Sequence, residues 1–484
     1  MKPVCILLPL CIALAIGSEM HQLLTVLPRL REHVHFLLSE QYGNSLLDFW
    51  TAPNQIGKKV HIMGPQNEIT KFMRHLDEKY LPYNLTVKNV HAWLENVGKK
   101  FRSRRSSEEE KDAFNVSIYN TYGDTVRYLN RLKSDYAEIV ELSSIGKTHE
   151  LRDIPLIKIG ANSSNEKPAI WIDSGIHARE WLAPASVLYM MSELVEKYGS
   201  DEVITDLVDS IDWYIVPILN PDGYVYSWSS PERRTWRKNR GPENCFDAST
   251  FDFTSYPNQK RLIDDINGTY CCPGVDLNRN FDWYHLKLAG IAERNPCNDQ
   301  YSGKEAFSEP ETAAVRDFFL NNTQHFNAFL TIHAFSQYLM YPYAYKGHAT
   351  LDDIAELNTT GYRAAEALER LYGTKYKVGT VADIIYSVSG SAVDWAKGVL
   401  KIKYVYAFEL RPLYALDHPE GLDEGNFLYS EEHVADTAKE TWEAIKVIAN
   451  DSLNFYRVNG TVISSASCPN LLMYMPMVFL SSLI

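Results

Sequence analysis

Four residues, His177, Glu180, His333 and Glu409, are of types that bind metals or carry protons, and each stands in or just beyond an apolar run. The run Ala169-Ile170-Trp171-Ile172-Asp173 continues as Ser174-Gly175-Ile176-His177-Ala178-Arg179-Glu180-Trp181. The first pair therefore falls past a strand's carboxyl end, where open α/β sheets place ligand sites. An imidazole and a carboxylate three residues apart at a strand-to-helix turn can reach one ion, and that donor mix suits zinc. Taken alone, the pair also fits incidental polar residues at a capped helix start. A second apolar run, Phe329 to Ile332, ends in His333, which by itself reads as a core histidine held by a hydrogen bond. Two histidines and a glutamate with one open position are nevertheless the ligand set of catalytic zinc, whereas structural zinc is closed by a fourth protein ligand. Glu409 lies inside the apolar strand pattern of residues 402 to 410. An inward carboxylate there costs several kcal/mol unless partnered, so a functional carboxylate beside a cation is the economical reading.

The elements that would position these groups alternate in type. Helical patterns occur at 122–135, 183–198, 309–322, 352–372 and 432–453, and short apolar runs at 155–159, 169–173, 211–218, 327–333 and 402–410. Such alternation predicts an α/β fold, with a mixed, mostly parallel central sheet and helices on both faces. Upstream, strand-like runs at Val34–Leu38 and Val60–Ile62 surround a helical pattern at 67–79 and predict a small α+β domain. Between the two lies KKFRSRRSSEEEK, residues 99–111, almost without apolar content. It reads as an exposed linker, and Arg102, Arg104 and Arg105 offer a processing site because proteases cut mobile polar segments; an ordinary charged linker is the alternative. No internal repeat or Gly-rich phosphate loop is apparent.

Composition narrows the class. Of 484 residues, 45% are hydrophobic and 23% charged, as in a folded globular protein. With 48 basic against 61 acidic residues the net charge is −13, which argues against a nucleic-acid partner. Lys2, the apolar run Val4 to Ile16 and the small residues before Ser18 have the layout of a secretory signal peptide cleaved after Gly17. The alternative, a short membrane anchor, falls below the roughly twenty residues that span a bilayer. Removing Cys5 and Cys11 leaves Cys245, Cys271, Cys272, Cys297 and Cys468, an odd number that makes Cys468 the simplest spare thiol. Eight Asn-x-Ser/Thr sites fit an exported glycoprotein. The apolar end, Leu471 to Ile484, is similar to a lipid-anchor signal but lacks its polar spacer, so a packed or frayed tail is favoured over membrane attachment.

Six motifs in order, HAREW at 177–181, WRKNR at 236–240, DLNRNFD at 276–282, IHAFSQ at 332–337, IYSVSGSAVDW at 385–395 and FELR at 408–411, resemble the zinc metallocarboxypeptidases of the pancreatic and digestive A/B type, the M14 family. The likeness spans about residues 115 to 453, and the leading segment resembles that family's inhibitory pro-segment. With the signal peptide read at 1–17 and a tail of uncertain structure at 456–484, it implies a pro-domain and activation linker at 18–105 and a catalytic domain at 106–455. It also implies one Zn2+ held by His177, Glu180 and His333, with Glu409 as general base and proton shuttle. Arg237 would polarise the scissile carbonyl. Asn278, Arg279 and Tyr386 would clamp the substrate's terminal carboxylate, with Arg179 further along the peptide; Asp276 would orient His177. A disulfide Cys272–Cys297 is implied in the same way; Cys245 and Cys271 would then close the inserted loop, with a Cys271–Cys297 pairing as the alternative.

The activity so implied is release of one residue from a peptide or protein C-terminus by a secreted zymogen, activated by a trypsin-like or dibasic-cleaving protease. In the family the residue at the position of Val393 lies at the floor of the specificity pocket. A valine there, with Met340, Val381 and Ile385 as walls, implies apolar side chains, while Ala344 and Ser391 narrow the space relative to glycine. Basic or acidic specificity, or an inactive binding homologue, are the alternatives. Ala334-Phe335 replaces a usual Ser-Tyr, Pro412-Leu413-Tyr414 departs from the usual loop, and residues 241–270 look inserted.

Overall fold

In the computed structural model the described residues are 20–92 and 114–463, without 45, 52, 54, 165, 248–268, 288–290, 348–351, 413–426 and 428. Residues 1–17, read above as a signal peptide, Arg102, Arg104, Arg105, Leu413, Tyr414, Cys468 and the apolar tail lie outside them. The chain divides into two compact units, 1–109 and 110–484.

The first unit is a four-stranded antiparallel sheet of β1 (His21–Val26), β2 (Asp48–Phe49), β3 (Val60–Pro65) and β4 (Tyr83–Val87), in the order β2-β3-β1-β4. Its helix Gln66–Glu78 buries Ile69, Phe72 and Leu76, one stripe at helical spacing. The predicted strand at Val34–Leu38 is instead part of a helix, Arg31–Gly43. Its buried positions, His33, Leu37 and Gln41, recur every four residues. Two of the three are polar, so the helical period is invisible to a hydrophobicity pattern.

The second unit is built on eight strands: β5 (Val140–Lys147), β6 (Asp153–Ile159), β7 (Ala169–Ser174), β8 (Asp212–Val216), β11 (Phe326–Ala334), β12 (Tyr338–Tyr341), β13 (Lys377–Thr380) and β14 (Tyr404–Leu410). A separate hairpin pairs β9 (Glu243–Asp247) with β10 (Thr269–Pro273). The eight run in the order β13-β12-β14-β11-β7-β8-β6-β5. The centre, β14-β11-β7-β8, is parallel throughout, and the antiparallel pairs lie towards the two sides. Every residue of β7 is buried, and so is β11 from Asn327 to Ala334, as strands covered on both faces must be. Helices Leu182–Glu196 and Val434–Ile463 pack on each other and on β11, while Ala392–Gly398 packs on β11 and β14. Trp171 anchors the core against Phe318, Phe319 and Phe329.

The last helix crosses the expected domain edge at 455 and continues to Ile463. Tertiary contacts hold the extension: Tyr456 Oη donates to Glu166 O and Arg457 Nη2 to Ser210 Oγ, each at 3.3 Å. The β9–β10 hairpin overlaps the segment 241–270 that looks inserted in the sequence, and in it Cys245 and Cys271 are directly opposite and disulfide-bonded. A second disulfide joins Cys272 to Cys297. Both are the expected pairs, and Cys271 does not pair with Cys297. Among the described residues no helix is long and apolar enough to cross a membrane.

Candidate active site

Because β7, β11 and β14 are parallel, their carboxyl ends share one edge of the sheet. His333 is next to last in β11, Glu409 is next to last in β14, and the two are register partners. Beyond β7 the chain turns at Gly175, where φ is +62° and a β-carbon would stand 3.1 Å from Pro184 Cγ and 3.3 Å from Ile218 Cα. Glycine is required by both conformation and space. That turn delivers His177 and Glu180 to the same edge. The helix that follows begins only at Leu182, and its N-cap, Trp181, makes no side-chain cap, so neither His177 nor Glu180 is used for capping.

The three side chains converge. His177 Nδ1 is 2.7 Å from Glu180 Oε1, His333 Nδ1 is 3.0 Å from Glu180 Oε2, and the two ring nitrogens are 3.2 Å apart. All three residues are buried. Burial by itself would raise the Glu180 carboxyl, but the two imidazoles outweigh it and hold the group well below the usual carboxylate range. Two imidazole nitrogens facing each other across a carboxylate, shielded from water, fit donors around one zinc at about 2.0–2.2 Å. A His2Glu set leaves one coordination position open, as catalysis requires.

Around this centre the structure brings the other expected residues together. Asp276 is fully buried and its Oδ1 is 3.1 Å from His177 Nε2. Burial opposes its ionisation, yet Arg237 and His177 more than compensate and keep it far below the ordinary aspartate value. Arg237 lies 3.7 Å from Glu180 Oε1, and its guanidinium stays protonated because Asp276 and Glu180 overcome the effect of burial. Asn278 follows on the short helical turn that Asp276 caps, and its Oδ1 accepts from Ala392 N at 2.9 Å. Arg279 Nη2 is 3.5 Å from Tyr386 Oη. Gly390, with φ at +68°, lets the 385–395 segment approach: a β-carbon there would meet Arg279 O at 2.0 Å.

Arg179 differs from the rest. Its side chain is 4% exposed, pairs with Asp299 at 3.2 Å and lies 4.3 Å over the Phe427 ring. Val393 is buried in one apolar cluster with Met340, Ala344, Val381, Ile384, Val388 and Ala392, and Ile385 and Tyr386 pack against it.

Sequence reasoning assigned no role to Asp173 or Thr331, although both stand in the quoted runs. The available signal was the two-residue spacing of Thr331 and His333, which puts both on one face of β11.

Comparison with known proteins agrees with this geometry. Residues 125–444 match the family described as zinc carboxypeptidase, and residues 24–96 the family described as carboxypeptidase activation peptide. Carboxypeptidase A2 of Mus musculus is 34% identical over 431 residues, covering 88% of this chain and 92% of the relative. Carboxypeptidase A1 of Bos taurus is 32% identical over 410 residues, covering 84% and 88%. Among solved structures, carboxypeptidase A from Helicoverpa armigera has a TM-score of 0.75 at 25% identity, covering 91% of this chain and 99% of the neighbour. Thrombin activatable fibrinolysis inhibitor has 0.71 at 27%, covering 90% and 99%.

Proposed function

The chain belongs to the zinc carboxypeptidase family, with an activation peptide ahead of its catalytic unit, and from that premise we propose that it is a secreted enzyme removing single apolar residues, aliphatic or aromatic, from peptide C-termini. The observation that supports the specificity is that Val393 is buried in one apolar cluster with Met340, Ala344 and Val381, so a side chain received there would meet an apolar floor and walls. Asp394 is adjacent in sequence, but its two oxygens accept from Ala344 N at 2.6 Å and Tyr345 N at 2.9 Å, so they are directed at the backbone. Burying an unpaired Lys or Arg head at such a floor costs several kcal/mol, whereas an apolar side chain gains about 25 cal/mol per Å2 removed from water.

In this reading His177, Glu180 and His333 hold zinc. When bound, zinc supplies Lewis acidity toward a carbonyl oxygen and an attacking water. Glu409 takes the proton from that water and returns it to the leaving amine. Arg237, kept cationic and fixed by Asp276, donates to the carbonyl oxygen as negative charge develops on it. Arg279 offers a bidentate fork to the terminal carboxylate, with Asn278 and Tyr386 beside it. That fixed cation confines cleavage to a chain's free end. To contact a longer peptide Arg179 would have to exchange contacts that include Asp299, Thr235 O and the Phe427 ring.

The test compares kcat/KM for peptides ending in Leu, Phe, Lys and Glu on one backbone after trypsin treatment, with and without a zinc chelator. Leu at least equal to Phe, both well above Lys and Glu, is expected, with Trp poor because Ala344 and Ser391 narrow the pocket. A preference for Lys or Glu over Leu overturns the assignment of Val393.

A further inference from the structure

The two histidines are supported differently from behind. His177 Nε2 meets a carboxylate, Asp276, directly. His333 Nε2 meets a hydroxyl, Thr331 Oγ1, at 3.1 Å, and that hydroxyl meets Asp173 Oδ1 at 2.7 Å. Asp173 Oδ2 in turn accepts from Trp171 Nε1 at 2.7 Å. The chain runs across the sheet because Asp173 in β7 and Thr331 in β11 are register partners, and because Thr331 and His333, two apart, share a face. Trp171 and Thr331 have no exposed surface, Asp173 is 1% exposed and His333 2%, so these groups are screened from solvent.

We propose that Thr331 and Asp173 are positioning residues for zinc, fixing His333 in the tautomer that leaves Nδ1 open to the metal; this rests on the reading of His333 as a ligand. A hydroxyl has one hydrogen to donate. Burial raises the Asp173 carboxyl, but both its oxygens face hydrogens, the Trp171 N–H at Oδ2 and the Thr331 hydroxyl at Oδ1, so the hydroxyl hydrogen goes to Asp173 and Thr331 Oγ1 can only accept from His333. The imidazole hydrogen then sits on Nε2, and the lone pair on Nδ1, the nitrogen that faces Glu180 and His177. Reversing the direction of the chain would put the hydrogen on Nδ1 and close it to a metal. Asn278 Nδ2 stands 3.5 Å from the same Nε2, too long to compete with the contact to Thr331. Partners behind metal-binding histidines act in this way in general; here the partner is a relay of two residues from two strands.

The experiment measures zinc dissociation constants by chelator competition on the full-length protein carrying Thr331→Val, Thr331→Ser or Asp173→Asn, with His333→Ala as control. Thr331→Val keeps the shape but loses the hydroxyl, and zinc binding should weaken by about 10- to 100-fold. Thr331→Ser restores the hydroxyl and should lie within about threefold of the parent, a rescue that loss of packing alone does not give. Asp173→Asn can accept from only one of Trp171 and Thr331, so it should bind weakly although the hydroxyl is present, and it carries the test should Thr331→Val not fold. Parent-like affinity in Thr331→Val, or equal losses in the valine and serine variants, overturns the proposal. Retention of zinc by His333→Ala instead refutes the ligand assignment beneath it.

Discussion

Arg237 grips a single oxygen of Asp276 with two nitrogens, Nε at 3.0 Å and Nη2 at 2.9 Å from Oδ2. The other oxygen, Oδ1, takes His177 Nε2 at 3.1 Å and the backbone N–H of Asn278 at 3.0 Å. One buried carboxylate thus ties together the cation proposed to hold the carbonyl oxygen, a zinc ligand and the turn that carries the carboxylate clamp.

Asp276→Asn tests that link. An amide keeps the shape but turns one acceptor into a donor, which must then confront either Arg237 or the hydrogens on His177 and Asn278. Zinc affinity should fall by about 10- to 100-fold. Turnover at saturating zinc should fall as well, by at least about tenfold, because Arg237 loses its anchor. Chelator competition and steady-state kinetics on one preparation measure both, and unchanged values in either would show that Asp276 is dispensable there.

Glu409→Gln separates metal binding from proton transfer. Glu409 is a register partner of His333 and is no member of the converging triad, so zinc content should remain near one per chain. Loss of the base should lower kcat by at least about a hundredfold. Metal analysis with kinetics decides; near-parental turnover removes Glu409 from the proposed mechanism.

The activation peptide predicts a latent full-length form. Limited trypsin treatment should cut near Arg102, Arg104 or Arg105 and raise hydrolysis of a C-terminal Leu substrate, with the new amino terminus read by sequencing. Equal activity before and after the cut argues against an inhibitory role for residues 18–105.

A pH effect on stability should trace to Glu311. It has no exposed surface, and burial pushes its carboxyl from 4.5 up to about 7, despite a 3.0 Å bond from Asn239 Nδ2. A folded-state value above the unfolded one means that the native protein binds the extra proton between them. The stabilisation is therefore fully present below about pH 4.5 and lost as pH rises through about 7. Glu311→Gln stays neutral throughout, so it should gain melting temperature over the parent as pH is raised from 5 to 8, followed by calorimetry. Parallel pH profiles for the two proteins would contradict the assignment.

Read alone, the sequence determined the local elements with strong periodicity and the chemistry of short motifs. Helix 122–135 and strand 169–173 are visible because apolar residues mark their buried faces, and His177 and Glu180 are joined by a turn only three residues long. The helix Arg31–Gly43 escaped because its inward face carries His33 and Gln41, whose burial depends on neighbours distant in the chain. Tertiary structure alone decided which strands are adjacent and at what register. Placing β11 between β7 and β14 sets Thr331 beside Asp173 and His333 beside Glu409, across more than 150 and more than 70 residues of intervening sequence. Parallel strands have no hairpin turn to fix their register; it follows from burying both faces of the sheet at once, and a slip by one residue would turn His333 away from the metal site.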